Sequence, residues 1–175
     1  MLTQTSNGRT VLAAVVALAL DQLTKLAVLQ FLGFQQEKVI LEGFFKLVHW
    51  GNTGAAWSLF RDNNALLAIV SLVALLILVA GRRHFNTGTP LGDYAMGMVF
   101  GGIVGNIIDR FAHGHVVDFL YFHLHRRSGE ELGFPAFNVA DSAICIGVLI
   151  LFVLSLQSNG QTADGHADAS TKQSR

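Results

Sequence analysis

The chain alternates long apolar runs with short polar stretches. A helix that crosses a bilayer needs about 20 mostly apolar residues. Four runs approach that length: about Val11 to Leu32, Ala65 to Gly81, Leu91 to Ile108 and Ala136 to Leu156. The first has an unbroken apolar core from Val11 to Leu20, and the second is interrupted only by Ser71. The third is apolar but rich in glycine, and the fourth starts polar before becoming nearly continuous hydrocarbon. The pattern predicts an all-α membrane protein built as a four-transmembrane-helix bundle. Asp21 and Lys25 follow the first apolar core, and no small-residue cleavage site is evident, so this run is read as a retained span rather than a removed signal.

The connecting segments differ in character. The first, about Gly33 to Asn64, contains Glu37 to Trp50, where Val, Ile, Leu and Phe mix with charges. That mixture suits short strands or a hairpin, so a small extramembrane β element is expected in the first loop. The second loop is short and basic, with Arg82, Arg83 and His84. The third, Asp109 to Pro135, holds a mixed segment that reads as either an interfacial helix or a strand. After Gln157 the chain is rich in Ser, Gly, Gln and Asp without apolar periodicity. The expected organisation is therefore one membrane domain over residues 1–157 and a disordered tail over 158–175.

Composition supports the membrane reading. Of 175 residues, 51% are hydrophobic and 14% charged, against about 25% charged in ordinary soluble domains. Mean hydropathy is +0.46. The formal net charge is zero, and no clustered basic face is present for a nucleic-acid partner. The single cysteine, Cys145, excludes an intramolecular disulfide and a Cys-based zinc site. Its position in an apolar run suggests a buried, inert thiol.

Alternating spans place the end of span one, the first loop, the end of span three and the start of span four on one membrane face. The unusual polar residues lie in those places: Asp21, Lys25, Asn52, Asn106, Asp109, Arg110, Asp118, Asn138 and Asp141. The other face has only Asp93 as a comparable candidate. Ionisable groups in spans are costly and are functional hypotheses by default. Asn106, Asp109 and Arg110 have i, i+3, i+4 spacing and share a helix surface. Asp141 falls about one turn inside its span, so the site is shallow and reachable from water and lipid alike. Gly97, Gly101 and Gly105 recur every four residues, a spacing that lets helices approach closely.

Two carboxylates held close cannot both ionise easily, and such a pair shares a proton. It can activate water against an amide and protonate the leaving amine without a nucleophilic side chain. Asp118, within Val116-Val117-Asp118-Phe119-Leu120, and Asp141, within Phe137-Asn138-Val139-Ala140-Asp141, are the candidates. Asp109, beside Arg110, is expected to form an ion pair or hold structure. The residues alone leave a catalytic pair and structural or ion-binding carboxylates evenly matched.

Five blocks decide between these readings: Asp21-Gln22-Leu23-Thr24-Lys25; Asn52-Thr53-Gly54-Ala55-Ala56-Trp57-Ser58; Gly101 to Arg110; Gly114-His115-Val116-Val117-Asp118-Phe119; and Phe137 to Asp141. In this order the chain resembles lipoprotein signal peptidase (signal peptidase II). The resemblance implies a bacterial inner-membrane enzyme with four spans, cytoplasmic termini and a site facing the periplasm. It implies an aspartic endopeptidase that removes the signal peptide from diacylglyceryl-modified prolipoproteins, cutting before the lipidated cysteine. It assigns catalysis to Asp118 and Asp141, and substrate binding to Asn52, Gly54, Asn106, Arg110 and Asn138. Supporting roles fall to Asp21, Lys25, Gly105, Asp109 and Ala140. The first loop is expected to cover the bound peptide, and Trp57 stands where the family pattern suggests Phe. The expected partners are the lipid-modified precursor and membrane lipids; the chain is expected to act as a monomer, without a cofactor or nucleic acid.

His113, His115, His123 and His125 form two H-x-H pairs around Asp118. They are read as interfacial polar residues, and no metal is expected. His49 and Trp50 are expected to pack or anchor at the interface. Ser58, Ser71 and Ser142 lack the context of a serine nucleophile. A proton-coupled transporter would place its carboxylates near the midplane with access from both sides. A structural subunit would lose stability rather than rate when Asp118 or Asp141 is neutralised. Orientation is nearly undetermined by charge, since Arg9, Arg82, Arg83, Lys172 and Arg175 face Lys38, Lys46, Arg61, Arg126 and Arg127. The pair Arg82-Arg83 favours cytoplasmic termini.

Overall fold

The computed structural model describes residues 5–54, 63–82, 88–125 and 130–172, with side chains as far as Gln157. The sequence expectations for Trp57, Ser58, Arg61, Arg83, His84, Arg126, Arg127 and Arg175 lie outside the described residues, as does the side chain of Lys172.

Four helices are long and apolar enough to cross a membrane among the described residues. They are α1 (Ser6–Phe31), α2 (Asn64–Gly81), α3 (Pro90–His113) and α4 (Val139–Lys172), of which Val139–Gln157 is the apolar part. Local signals mark the starts of the first three. The Thr5 hydroxyl accepts from Gly8 N at 3.2 Å and the Asn63 side chain from Leu66 N at 3.4 Å. Thr89 does the same for Gly92 N at 3.1 Å, with Pro90 in the first turn, where a missing N–H costs nothing. α3 ends at Gly114, whose φ of 76° is the left-handed conformation that glycine accepts readily. This stop carries α3 beyond the expected end near Ile108 and sets Asp109 and Arg110 on its last turns. α4 is helical as far as Lys172.

α3 is the buried centre, and its glycines explain why. A Cβ on Gly97 would collide with the Thr10 carbonyl oxygen, and one on Gly101 with that of Ala14. On the neighbouring face, a Cβ on Gly102 would stand 2.5 Å from the Ala140 carbonyl oxygen. The four-residue repeat thus seats α1, and Gly102 seats α4. The outward faces carry Val11, Val15, Leu76, Ile77 and Leu149, all exposed on the bare protein. This apolar surface is what lipid tails would cover in a bilayer.

The β element is larger than the sequence suggests. The first loop supplies β1 (Glu37–Leu41) and β2 (Phe45–Asn52), but the third loop adds β3 (Val116–His125) and β4 (Glu131–Gly133). The four form one antiparallel sheet in the order β1-β2-β3-β4. The ambiguous segment of loop three is therefore strand. Its Val116, Val117 and Phe119 are buried, and Val117 and Phe119 pack with Val28 of α1 and the flanking Leu29, Leu32 and Val139. β2 bulges between Leu47 and Trp50, and beyond the bulge Trp50 pairs with Asp118. The sheet thus sits on the bundle's end and hands Asp118 down to it.

The opposite end is closed by different polar contacts. Asp93 accepts from Ser6 Oγ at 2.6 Å and from Arg9 Nε at 2.8 Å, joining the starts of α1 and α3. Arg82 hydrogen-bonds Asn7, tying the end of α2 to α1. The one acidic candidate on that face is therefore a structural clasp.

Close packing at α3 predicts a cost for added bulk. Gly101→Ala is expected to destabilise the purified protein by about 1–3 kcal/mol through overpacking. The lipid-facing Leu12→Ala should change stability by only about 0.5 kcal/mol or less. Thermal unfolding in one detergent distinguishes the two.

Candidate active site

Asp141 is positioned by the first turn of α4. The Asn138 side chain accepts from Asp141 N at 2.9 Å, while Asp141 Oδ2 accepts from Asn138 N at 3.3 Å. This is a reciprocal capping box, with Asn at the cap and Asp three residues on. Asp141 Oδ1 accepts from Asn106 Nδ2 at 2.8 Å. Both carboxylate oxygens are therefore aimed by neutral amides.

Asp118 reaches the same place from β3. Its Oδ2 accepts from Asn52 Nδ2 and its Oδ1 from Asn138 Nδ2, both at 2.8 Å. Asn52 is itself fixed, because its Oδ1 accepts from Gly54 N at 2.9 Å in an Asx turn. Asn138 is fully buried and its Nδ2 also approaches Asn106 Oδ1 at 3.3 Å. A single amide thus spans between the holders of the two acids. Asn138, expected at the substrate, sits behind the pair and positions both members. Burial pushes the Asp118 carboxyl up to about 7, with the charge of Asp141 adding to it and the bonds from Asn52 and Asn138 opposing it.

Behind the pair lies a buried ionic cluster. Lys25 Nζ stands 2.8 Å from Asp21 Oδ2 and 2.8 Å from Asp109 Oδ2, and it donates to Asn106 Oδ1 at 3.1 Å. Asp21 Oδ1 accepts from Ala140 N at 2.9 Å, and Asp109 Oδ2 from Val117 N at 3.0 Å. Gly105 faces Asp21 so closely that a Cβ there would strike Oδ2. Every supporting residue expected from the sequence lies in this cluster. Asp109 does pair, but with Lys25 and not with the adjacent Arg110. Gln22 joins the cluster unexpectedly, its Nε2 donating to Asp21 Oδ2 and Asp109 Oδ1, each at 3.1 Å. The sequence does carry a signal for it: an amide beside an aspartate within an apolar span.

Asp118 and Asp141 line one cavity of about 740 Å³, with Asn52, Gly54, Asn106 and Arg110. Trp50 and the stretch from Phe134 to Phe137 supply an apolar wall. Arg110 Nη1 donates to the Asn106 carbonyl at 3.2 Å, and its buried Nε has no hydrogen-bond partner among the described residues. Cys145 also lines the cavity and is exposed, contrary to the expectation of a buried thiol. α4 turns Ala140, Ala143 and Gly147 toward α3, which leaves Cys145 on the open side.

Four spans capped at one end by a sheet, with two acids opening on a cavity at that end, define a multi-pass membrane protein with a carboxylate-based site. The signal peptidase (SPase) II family profile matches residues 13–157. A lipoprotein signal peptidase from Nostoc punctiforme is 40% identical over 90% of this chain and 94% of its own length. One from Symbiobacterium thermophilum is 38% identical over 82% and 91%. A bacterial membrane enzyme solved by the in meso method aligns with a TM-score of 0.75 at 28% identity, covering 88% of this chain and 91% of its own. The chain belongs to the signal peptidase II family and is a bacterial membrane peptidase, as the five sequence blocks suggested.

The site's electrostatics can be tested in two ways. Lys25→Met leaves two buried carboxylates without their cation and is expected to cost about 3–5 kcal/mol, read as lost folded yield and a lowered Tm. The second test concerns pH. An unfolded Asp118 ionises near 3.8, whereas the folded one holds its proton to about 7. The folded chain binds the extra proton between those values, so this group's contribution to stability falls as pH rises through the window and levels off above it. The fall in Tm between pH 5 and pH 8 should be smaller for Asp118→Asn than for the wild type.

Proposed function

We infer that the protein is an aspartic endopeptidase that removes the signal peptide from diacylglyceryl-modified prolipoproteins, cutting before the lipidated cysteine. Asp118 and Asp141 are its catalytic acids. The observation that carries this reading is the shared placement of the two carboxyl groups, aimed into one cavity by Asn52, Asn106 and Asn138. The raised Asp118 value of about 7 supports it, because it keeps a proton on the pair near neutral pH.

The chemistry needs one ionised and one protonated carboxyl. The ionised member takes a proton from a water lying between them, and that water attacks the scissile carbonyl carbon. The protonated member gives its proton to the carbonyl oxygen, producing a neutral tetrahedral diol. Collapse of the diol re-forms the carbonyl, breaks the C–N bond and delivers a proton to the leaving amine. No covalent enzyme intermediate is formed. Arg110, with unused donor capacity, holds a substrate carbonyl or lipid ester oxygen, and Asn52 and Gly54 border the peptide. The apolar wall from Phe134 to Phe137 suits a substrate that enters from lipid. The site faces the periplasm, with Arg9 and Arg82 at the cytoplasmic end.

Purified protein given a diacylglyceryl-modified precursor should release the signal peptide. Asp118→Asn and Asp141→Asn should each reduce the rate at least about 100-fold while remaining folded. Normal turnover by either variant removes that residue from the mechanism, and a precursor cleaved equally well without its lipid refutes the proposed specificity.

A further inference from the structure

The outer sheet carries a second cluster that the peptidase chemistry does not use. His123 and His125 lie two apart on β3 and therefore on one face, and Glu131 of β4 pairs directly across from His125. His123 Nδ1 stands 3.4 Å from Glu131 Oε2, and His125 Nε2 stands 3.7 Å from the same oxygen. One ligand atom from each residue can be chosen so that all three lie within 4.8 Å of one another. Donor atoms around a tetrahedral zinc stand about 3.3 Å apart, given bonds of about 2.0 Å. The two imidazole–carboxylate spacings, 3.4 and 3.7 Å, lie close to that value.

The state of His123 is the second observation. Its side chain is 1% exposed, yet neither ring nitrogen has a hydrogen-bond partner among the described residues. Buried polar atoms are seldom left so. Its ring is stacked against Tyr121 at 5.6 Å, which fixes the plane of the imidazole. Tyr121 in turn donates to Glu131 Oε1 at 3.0 Å, leaving Oε2 toward the two histidines. A metal-ligating carboxylate is commonly oriented by such an outer contact. Lys46 Nζ is the competing cation, 3.1 Å from Oε2, but it also has Glu37 at 3.2 Å and keeps that partner if displaced.

We propose that His123, His125 and Glu131 form a binding site for a divalent first-row transition cation, zinc in particular, on the extramembrane sheet. Two imidazoles and one carboxylate are a borderline donor set suited to zinc, with the fourth position left to water. The His113–His115 pair lies elsewhere, His115 packing on Gly51 and Phe34. The bound ion clamps β4 to β3, and β4 leads directly into the Phe134 to Phe137 wall of the cavity. Zinc is thus a stabiliser of that wall and takes no part in peptide hydrolysis.

The test is zinc titration of the full-length, tag-free protein in detergent, followed by calorimetry and by competition with a fluorescent chelator. One zinc per chain is expected, together with a rise in Tm. His123 is buried and its removal endangers folding, so the exposed ligands are replaced. His125→Ala and Glu131→Gln should each weaken zinc binding at least ten-fold, whereas Asp118→Asn should bind as the wild type does. Three outcomes overturn the site: no stoichiometric zinc, wild-type affinity in both ligand variants, or binding lost only when His113 and His115 are replaced. Peptidase activity is a separate readout, so failure here leaves the aspartic mechanism untouched.

Discussion

A buried lysine holds this structure together at the point where it matters. Lys25 joins α1 to α3 through Asp109 and Asn106, and its partner Asp21 reaches the backbone of α4 at Ala140. Asp109 reaches the backbone of β3 at Val117. Three spans and the sheet therefore meet around one ammonium group. A buried ion pair contributes little net stability against an apolar replacement, but breaking one is expensive. Its value lies in allowing one arrangement only. Any slip of α1 along α3 by a turn would strand at least one charge in an apolar interior.

That fixed junction explains how two acids from different structural layers come together. Asp118 belongs to a strand and Asp141 to the first turn of a membrane helix. A strand and a helix have no common repeat that would bring their side chains into register. Registration comes from the polar cluster, because Val117 N is held by Asp109 and Ala140 N by Asp21, each adjacent to an acid. The site forms where sheet and bundle meet, which is also where a membrane protein passes from hydrocarbon to water. A shallow location is a consequence of the architecture.

Much of this is legible in the sequence. Unbroken apolar runs of membrane length are rare outside a bilayer, so the spans emerge with small errors at their ends. Gly114 is the signal that corrects one of those ends. The clustering of polar residues on one face follows from alternation alone. Other features depend on contacts between distant segments. Nothing local says that Phe45 to Asn52 pairs with Val116 to Phe122, so local pattern points to a sheet in the first loop only. Asp109 reads as a partner of its neighbour Arg110, because sequence adjacency hides a lysine 84 positions earlier that lies 2.8 Å away. Cys145 looks buried because an apolar run does not reveal which face of its helix is covered. Asn138 reads as a substrate ligand, and nothing local shows that its amide also bonds Asp118 and caps α4.

The choice of amides around the acids has its own logic. A carboxyl pair that passes a proton back and forth needs neighbours that tolerate either state. An ammonium group in direct contact would hold one member ionised and remove it from proton exchange. Here the lysine stands one residue back and acts through Asn106, whose oxygen accepts from Lys25 and whose nitrogen donates to Asp141. Asn52 and Asn138 likewise present neutral donors to Asp118. Amide donors keep the carboxyl groups in place by geometry, with a smaller electrostatic bias than a cation would impose. Separating the charge that orders the fold from the amides that hold the acids lets a rigid cluster support a site whose protonation, on the proposed mechanism, changes.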